Sequence, residues 1–243
     1  MSRLSSKKDA RFEIKKVKMD CDYRGTIPEP IPPYHSFVCV VGGVGSGKTN
    51  LIINMITNPA IYCGQFDNVY VFSPSFQTIK KKLGLPPEHI FKEFSLDKIN
   101  EIMQEQLMLN DPEFREKGDT EKEECLIILD DCIARIKDRQ VAELEQACLN
   151  RRHCFTTIIL VSQRYNRIPK ILRTVASHLI IFNPPNSDKD DVFKEWSNVT
   201  KEMFNEICLF VYNEPKQFLF IIKEEPETKK YYKGFNLIRG VEV

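Results

Sequence analysis

Gly42-Gly43-Val44-Gly45-Ser46-Gly47-Lys48-Thr49 follows directly on the apolar run Phe37-Val38-Cys39-Val40-Val41. The octet fits G-x-x-x-x-G-K-[ST], the loop that cradles phosphates between a strand and a helix. Each residue type has its reason. Glycines let the backbone take positive φ and turn successive N–H groups inward around a phosphate. The helix that opens there, through Asn50-Leu51-Ile52-Ile53-Asn54-Met55-Ile56, adds its positive dipole end. Lys48 can reach the β- and γ-phosphates, and the Thr49 hydroxyl can ligate Mg²⁺. Gly42, Gly43, Val44, Gly45, Ser46, Gly47, Lys48, Thr49 and Asn50 are therefore the expected nucleotide-binding residues. A glycine-rich turn that binds nothing would not need a buried strand before it and a helix after it.

Two later stretches complete a site. Cys125-Leu126-Ile127-Ile128-Leu129-Asp130-Asp131 reads as a fully buried parallel strand with two carboxylates at its C-terminal end. In open α/β sheets ligands bind beyond the carboxyl ends of the strands. There Asp130 would hold Mg²⁺ through its water shell, and Asp131 would orient or deprotonate the attacking water. The plainer reading of Asp-Asp is a helix cap or turn. Phe155-Thr156-Thr157-Ile158-Ile159-Leu160-Val161 reads as the next buried strand, closed by Ser162-Gln163, where a polar side chain can sense the γ-phosphate or position water.

The rest of the chain reads as an α/β domain. Further strands are expected at Asn68–Phe72 and His178–Phe182, and helices at 141–149 and 188–206. An amphipathic helix is expected within 86–110, with Ile99, Ile102, Met103 and Leu107 roughly on one face. Residues 207–212 and 218–222 look like a hairpin around Asn213-Glu214-Pro215-Lys216.

Length and composition agree with one domain and its appendages. There are 243 residues, 42% hydrophobic and 28% charged, enough for a sizeable core. A net charge of +1 gives no global push toward nucleic acid, so such binding must come from local patches. No apolar run is long enough to span a membrane and the N-terminus is polar, so a soluble, intracellular protein is expected. The eight cysteines include no C-x-x-C pair and no zinc spacing. Cys39, Cys125, Cys154 and Cys208 read as small core hydrophobes, with no disulfide framework. Residues 1–34 form a basic and then proline-rich arm, 35–223 the domain, and 224–243 a charged tail. The acidic stretch 111–124 reads as an exposed connection. The run Lys80-Lys81-Lys82 reads as a solvated face or a contact for a DNA backbone.

The ordered set of motifs resembles the genome-packaging ATPases of large double-stranded DNA viruses and virophages, poxvirus-type members of the FtsK–HerA superfamily. It runs from Gly42–Thr49 through Leu129-Asp130-Asp131, Arg152-His153 before a strand and Ser162-Gln163 to Ile168-Pro169 with Arg173. The resemblance spans about residues 35–222. It implies a RecA/FtsK–HerA-like P-loop NTPase fold, a mostly parallel sheet flanked by helices, with a C-terminal β-hairpin. It also implies ATP and Mg²⁺ as cofactors, with Lys48 and Thr49 on the phosphates and metal, Asp130 on Mg²⁺, Asp131 as base and Gln163 as γ-phosphate sensor. The superfamily more often has Glu where Asp131 stands, and that shorter arm leaves its role as sole base open. Arg152, with Arg151 as understudy, would be an arginine finger toward a neighbouring subunit, and Arg173 a second sensor or finger. Val175 replaces an Asn that many relatives carry two residues after that arginine, which weakens this transfer. A plain reading of Arg151-Arg152-His153 is a positive helix C-terminus that complements its dipole.

The resemblance implies a homo-oligomeric ring, pentamer or hexamer, that pumps double-stranded DNA into a preformed capsid with capsid or portal proteins as partners. It would work in the cytoplasm of the infected cell, at the virus factory, in association with the virion. Lys80–82 and the region of Lys137 and Arg139 would be the DNA contacts. A regulatory GTPase would need D-x-x-G after the Mg²⁺ strand and an N-K-x-D guanine reader; Asp130-Asp131-Cys132-Ile133 stands at the first place and no N-K-x-D occurs. A P-loop small-molecule or nucleoside kinase is the alternative, with Arg164, Arg167 and Arg173 as a lid. A module that merely holds ATP would need no Asp131–Gln163 pair.

Overall fold

The computed structural model describes residues 5–6, 26–74, 84–111, 113, 122–132 and 136–241. In chain order the strands are β1 (Ser5–Ser6), β2 (Phe37–Val41), β3 (Asn68–Phe72), β4 (Ile90–Phe91), β5 (Cys125–Asp130), β6 (Thr156–Ser162), β7 (His178–Phe182), β8 (Phe218–Ile222), β9 (Tyr231–Lys233) and β10 (Asn236–Arg239). The helices are α1 (Lys48–Thr57), α2 (Leu96–Leu109), α3 (Asp138–Asn150), α4 (Lys170–Val175), α5 (Asn186–Trp196), α6 (Lys201–Val211) and α7 (Glu227–Lys230). The sheet order is β1-β10-β9-β8-β7-β2-β6-β5-β3-β4. From β7 to β4 every neighbour is parallel; β8, β9, β10 and the two-residue β1 extend the sheet antiparallel. This is the expected class, a mostly parallel sheet flanked by helices.

The central strands are buried throughout, which is why they read as continuous apolar runs. Alternate side chains serve opposite faces. Phe37, Cys39 and Val41 join one core with Ile99 and Met103 of α2, Leu144 of α3, Leu172 of α4, Trp196 of α5 and Ile207 of α6. Val38 and Val40 join the other with Leu51, Ile52 and Met55 of α1. So α1 lies on one face of the sheet and α2 to α6 on the other. Burying each of the large core aromatics Phe37, Phe72 and Phe220 contributes roughly 1.5–3 kcal/mol. No described helix is long and apolar enough to cross a membrane.

Three expectations need correction. Residues 207–211 are helical and not the first arm of a hairpin. Phe204, Ile207, Cys208 and Val211 recur at helical spacing and are all buried, Leu209 is 75% exposed, and Thr200 caps the start by accepting from the Met203 N–H. The C-terminal hairpin exists, but β9 and β10 make it, with the turn at Gly234 and Phe235. Those strands also show that 224–243 is no detached tail: Tyr231 is fully buried and β9 pairs with β8. The charged residues around it hide a short strand that is paired on both sides, with β8 and with β10. Finally, the expected 188–206 helix is two, broken at Ser197–Thr200. Cys63 is disulfide-bonded, whereas Cys39, Cys125, Cys132, Cys148, Cys154 and Cys208 are free and buried. The arm before residue 26, apart from β1, and Lys80–82 lie outside the described residues.

His178, at the start of β7, is buried against Phe220, its ring stacked at 5.8 Å. Burial, then nearby Arg151, pushes its pKa down from 6.5 to about 4. The unfolded chain therefore binds a proton between pH 6.5 and 4 that the folded chain refuses. Stability is full above pH 6.5 and falls by of order 3 kcal/mol as pH drops through that window. Thermal melts of wild type and His178→Gln between pH 7 and 4 check this. The wild type should lose about 6–10 °C more than the variant over that range.

Candidate active site

The phosphate loop occupies the C-terminal edge of the sheet, between β2 and α1. Its conformation follows from its glycines. Gly47 takes φ +112°, which an L side chain rarely adopts, and caps α1. A Cβ on Gly42 would stand 2.9 Å from the Phe182 Cβ and 2.6 Å from Ser46 Oγ, so only glycine lets the loop leave β2 there. The Gly42 N–H donates to Ser162 O at 3.1 Å, which fastens the loop to the end of β6. Val44 forms the tip and is 88% exposed. Thr49 and Asn50 are exposed at the start of α1.

Lys48 is buried, and its Nζ donates to Gly42 O at 2.5 Å and Gly43 O at 3.0 Å. Burial lowers its pKa, while Asp131 and then Asp130 pull it back up. Both carboxylates thus act on this ammonium.

Asp130 ends β5 and is nearly buried. Burial raises its pKa, a hydrogen bond from Ser73 Oγ at 2.8 Å lowers it, Asp131 raises it and Lys48 lowers it. Asp131 leaves the strand at φ +51°, a left-handed conformation that aspartate tolerates better than most residues. Gln163 Nε2 donates to its Oδ2 at 2.9 Å. The two aspartates are therefore tied sideways to different strands: Asp130 to the end of β3, Asp131 to the residue after β6.

The turn that carries Gln163 is itself clamped. Asp188 has no exposed surface; its carboxylate accepts from Arg164 Nε at 3.1 Å, Arg164 NH2 at 3.0 Å and the Tyr165 N–H at 2.8 Å. Burial works against its charge, but these donors hold its pKa below the usual range. Sequence reasoning missed Ser73 and Asp188. Ser73 falls just beyond the expected Asn68–Phe72 strand and Asp188 at the start of the expected 188–206 helix. Their partners lie 57 and 24 residues away in the chain, and no local pattern connects them.

The residues present fit a nucleotide and its metal. Cβ positions on Gly43 and Gly45 meet nothing within 4 Å, so the loop is open above its backbone. Ser46 Oγ is buried without a hydrogen-bond partner. Thr49 and Asp130 line one small cavity with Ile52, Ile53, Val71, Ile128 and Val161, and they are its hydroxyl and its carboxylate, the oxygen types a Mg²⁺ takes. Among the described residues no cluster of three His, Cys, Asp or Glu forms a metal cage.

The arginines separate. Arg151 is 6% exposed, donating from Nε to His35 O at 2.7 Å and from NH1 to Cys148 O at 2.6 Å. It fastens the end of α3 to the lead-in of β2 and is unavailable as a finger. Arg173 pairs with Glu195 at 3.0 Å, and its guanidinium lies 4.6 Å from the Tyr165 ring centroid. It sits where α4 runs into the start of β7, far from the phosphate loop, so it is neither a free sensor nor a free finger. Arg152 is exposed. It precedes β6 at its N-terminal end, about 20 Å along the strand from Gln163, out of reach of its own loop.

A family model described as Poxvirus A32 protein matches residues 34–230. The chain belongs to that family. No curated protein matches it. Among solved structures, it is similar to the genome packaging NTPase B204 from Sulfolobus turreted icosahedral virus 2 in complex with AMPPCP. Identity there is 15%, covering 86% of this chain and 99% of that chain, with a TM-score of 0.53. The same NTPase in complex with sulfate matches at 15% identity over 86% and 97%, with a TM-score of 0.57. The cytoplasmic domain of the Thermomonospora curvata Type VII Secretion ATPase EccC matches at 14% identity, over 84% of this chain but 23% of that chain, with a TM-score of 0.52. At these identities the likeness speaks for the fold alone.

Proposed function

We propose that the protein is an ATP-driven motor that moves viral double-stranded DNA into a preformed capsid, hydrolysing ATP at subunit interfaces of a ring. The observation that carries this reading is the Asp131–Gln163 pair at 2.9 Å beside the phosphate loop. Holding a nucleotide needs no carboxylate poised for water; hydrolysis does. Membership of the Poxvirus A32 protein family and the likeness to a viral packaging NTPase support the DNA-packaging part.

In this reading the loop N–H groups and Lys48 bind the β- and γ-phosphates, with Lys48 turning from the Gly42 and Gly43 carbonyls to do so. Thr49 and Asp130 would hold Mg²⁺, which would supply positive charge against the phosphates. Asp131 accepts the proton of the attacking water, and Gln163 aims that carboxylate while its turn reports on the γ-phosphate. Arg152 supplies positive charge to the neighbour's nucleotide. The kinase alternative loses its lid, since Arg164 and Arg173 are held by Asp188 and Glu195.

ATP hydrolysis measured against protein concentration, with and without long double-stranded DNA, tests this reading. The rate per subunit should climb with concentration, rise further with DNA and fall about 10³-fold or more in Arg152→Ala. A rate indifferent to concentration, DNA and Arg152 would overturn the ring motor.

A further inference from the structure

The strands that end in Asp131 and Gln163, β5 and β6, are parallel neighbours. Both chains then turn onto the face opposite α1. Asp131 leads into α3 and Gln163 leads through a 3-10 turn at Tyr165–Arg167 into α4. The two helices are anchored in the same core by Leu144, Ala147 and Cys148 on α3 and by Ile168 and Leu172 before and on α4, and they contact each other. α3 follows β5 and α4 follows β6, and both run back toward the N-terminal edge of the sheet; α4 is only six residues long and ends at the start of β7, so Lys170 stands partway down this face, with Arg167 before it in the 3-10 turn.

The entry to each helix is cationic. Lys137 and Arg139 at the start of α3, Arg167 at the end of the 3-10 turn and Lys170 at the start of α4 are all exposed. Among the described residues no carboxylate lies within 4 Å of Lys137, Arg167 or Lys170. Arg139, with its side chain 92% exposed, meets only Glu143 on its own helix, at 3.3 Å. Asp138 is the one acid among them. Arg164, between Gln163 and this surface, is locked by buried Asp188, so the turn is a stiff link rather than a slack loop. Three cations with no carboxylate in reach and a fourth met only by an exposed Glu143 on its own helix, in a chain whose net charge is only +1, make a local patch for a polyanion.

We propose that Lys137, Arg139, Arg167 and Lys170 form the surface that grips the phosphates of double-stranded DNA. The grip is sequence-independent, because lysine and arginine on phosphates position a duplex without reading its bases. This rests on the motor reading and supplies its DNA contact. A rearrangement at Asp131 or Gln163 would reach the grip through six or fewer residues of chain on either arm. Lys80–82 are not needed for it.

The test is fluorescence anisotropy of a labelled random-sequence 40-base-pair duplex at 50 to 300 mM salt with a non-hydrolysable ATP analogue. It compares wild type, Arg167→Gln/Lys170→Gln and, as a control, Lys229→Gln on α7 near the other end of the sheet. All are checked by circular dichroism for an unchanged fold. Loss of two phosphate contacts should lower the slope of log K on log salt by about 2 and weaken binding on the order of 50-fold at 0.1 M salt, with the control unchanged. Wild-type binding that the double variant retains in full would overturn this surface and leave the motor standing. A wild type that shows no salt-dependent binding to the duplex would sink the motor reading itself.

Discussion

Lys48→Ala should lose ATP turnover by about 10³-fold in kcat/KM, together with most of its affinity for a fluorescent ATP analogue. Among the described residues Lys48 is the only cation seated in the phosphate loop, and its surroundings explain why a neutral residue cannot replace it. The ammonium is held by two backbone carbonyls and faces two aspartates, one of them nearly buried. Removing it takes away the contact to the β- and γ-phosphates. It also takes from Asp130 a positive charge that opposes the rise in its pKa caused by burial and by Asp131. Titration of the analogue and steady-state hydrolysis check this together. Retained affinity with lost turnover would mean that Lys48 acts in the transition state alone.

Asp131→Asn should behave differently. Its carboxylate is tied to Gln163 and not to the loop, so nucleotide affinity should stay within about threefold while kcat falls about 10²–10⁴-fold. Asparagine can still accept the Gln163 donor, so the geometry survives and only the basicity goes. Gln163→Ala should do the reverse, keeping the carboxylate but losing its aim, with a smaller fall in kcat. Equal losses in affinity and rate for Asp131→Asn would place this residue on the nucleotide rather than on the water.

The residues proposed for those roles were legible as positions because each lies in contiguous sequence. The phosphate loop is eight consecutive residues whose glycines set their own dihedral angles. The aspartate pair and Ser162-Gln163 end runs of five to seven apolar residues that can only be buried parallel strands here. What stayed illegible depends on a choice that local pattern leaves open. The run 207–212 is apolar at every position, which suits a strand or a buried helix turn equally. The deciding signals lay upstream, in Phe204 and the Thr200 cap. Tyr231–Lys233 is too short and too charged to announce a strand, yet β8 offers it an edge to pair with. Arg151 and Arg152 are adjacent and chemically alike. At the end of α3 the first turns in toward the His35 carbonyl and the second turns out, a difference that only the tertiary packing sets.

Ser73 and Asp188 illustrate the same point at the site. Each is an unremarked polar residue at the end of a strand or the start of a helix, and each fixes a residue that the motifs do announce. The site thus has a legible first row, Lys48, Thr49, Asp130, Asp131 and Gln163. Behind it stands a row that the fold alone brings into contact.

Displacement of a triplex-forming third strand from long duplex DNA tests the central claim most directly. With ATP and Mg²⁺ the wild-type protein should release the third strand at a rate that follows ATP hydrolysis, whereas Asp131→Asn and a non-hydrolysable analogue should release none. Hydrolysis at full rate without any displacement would contradict the account, leaving an ATPase whose turnover does not move DNA.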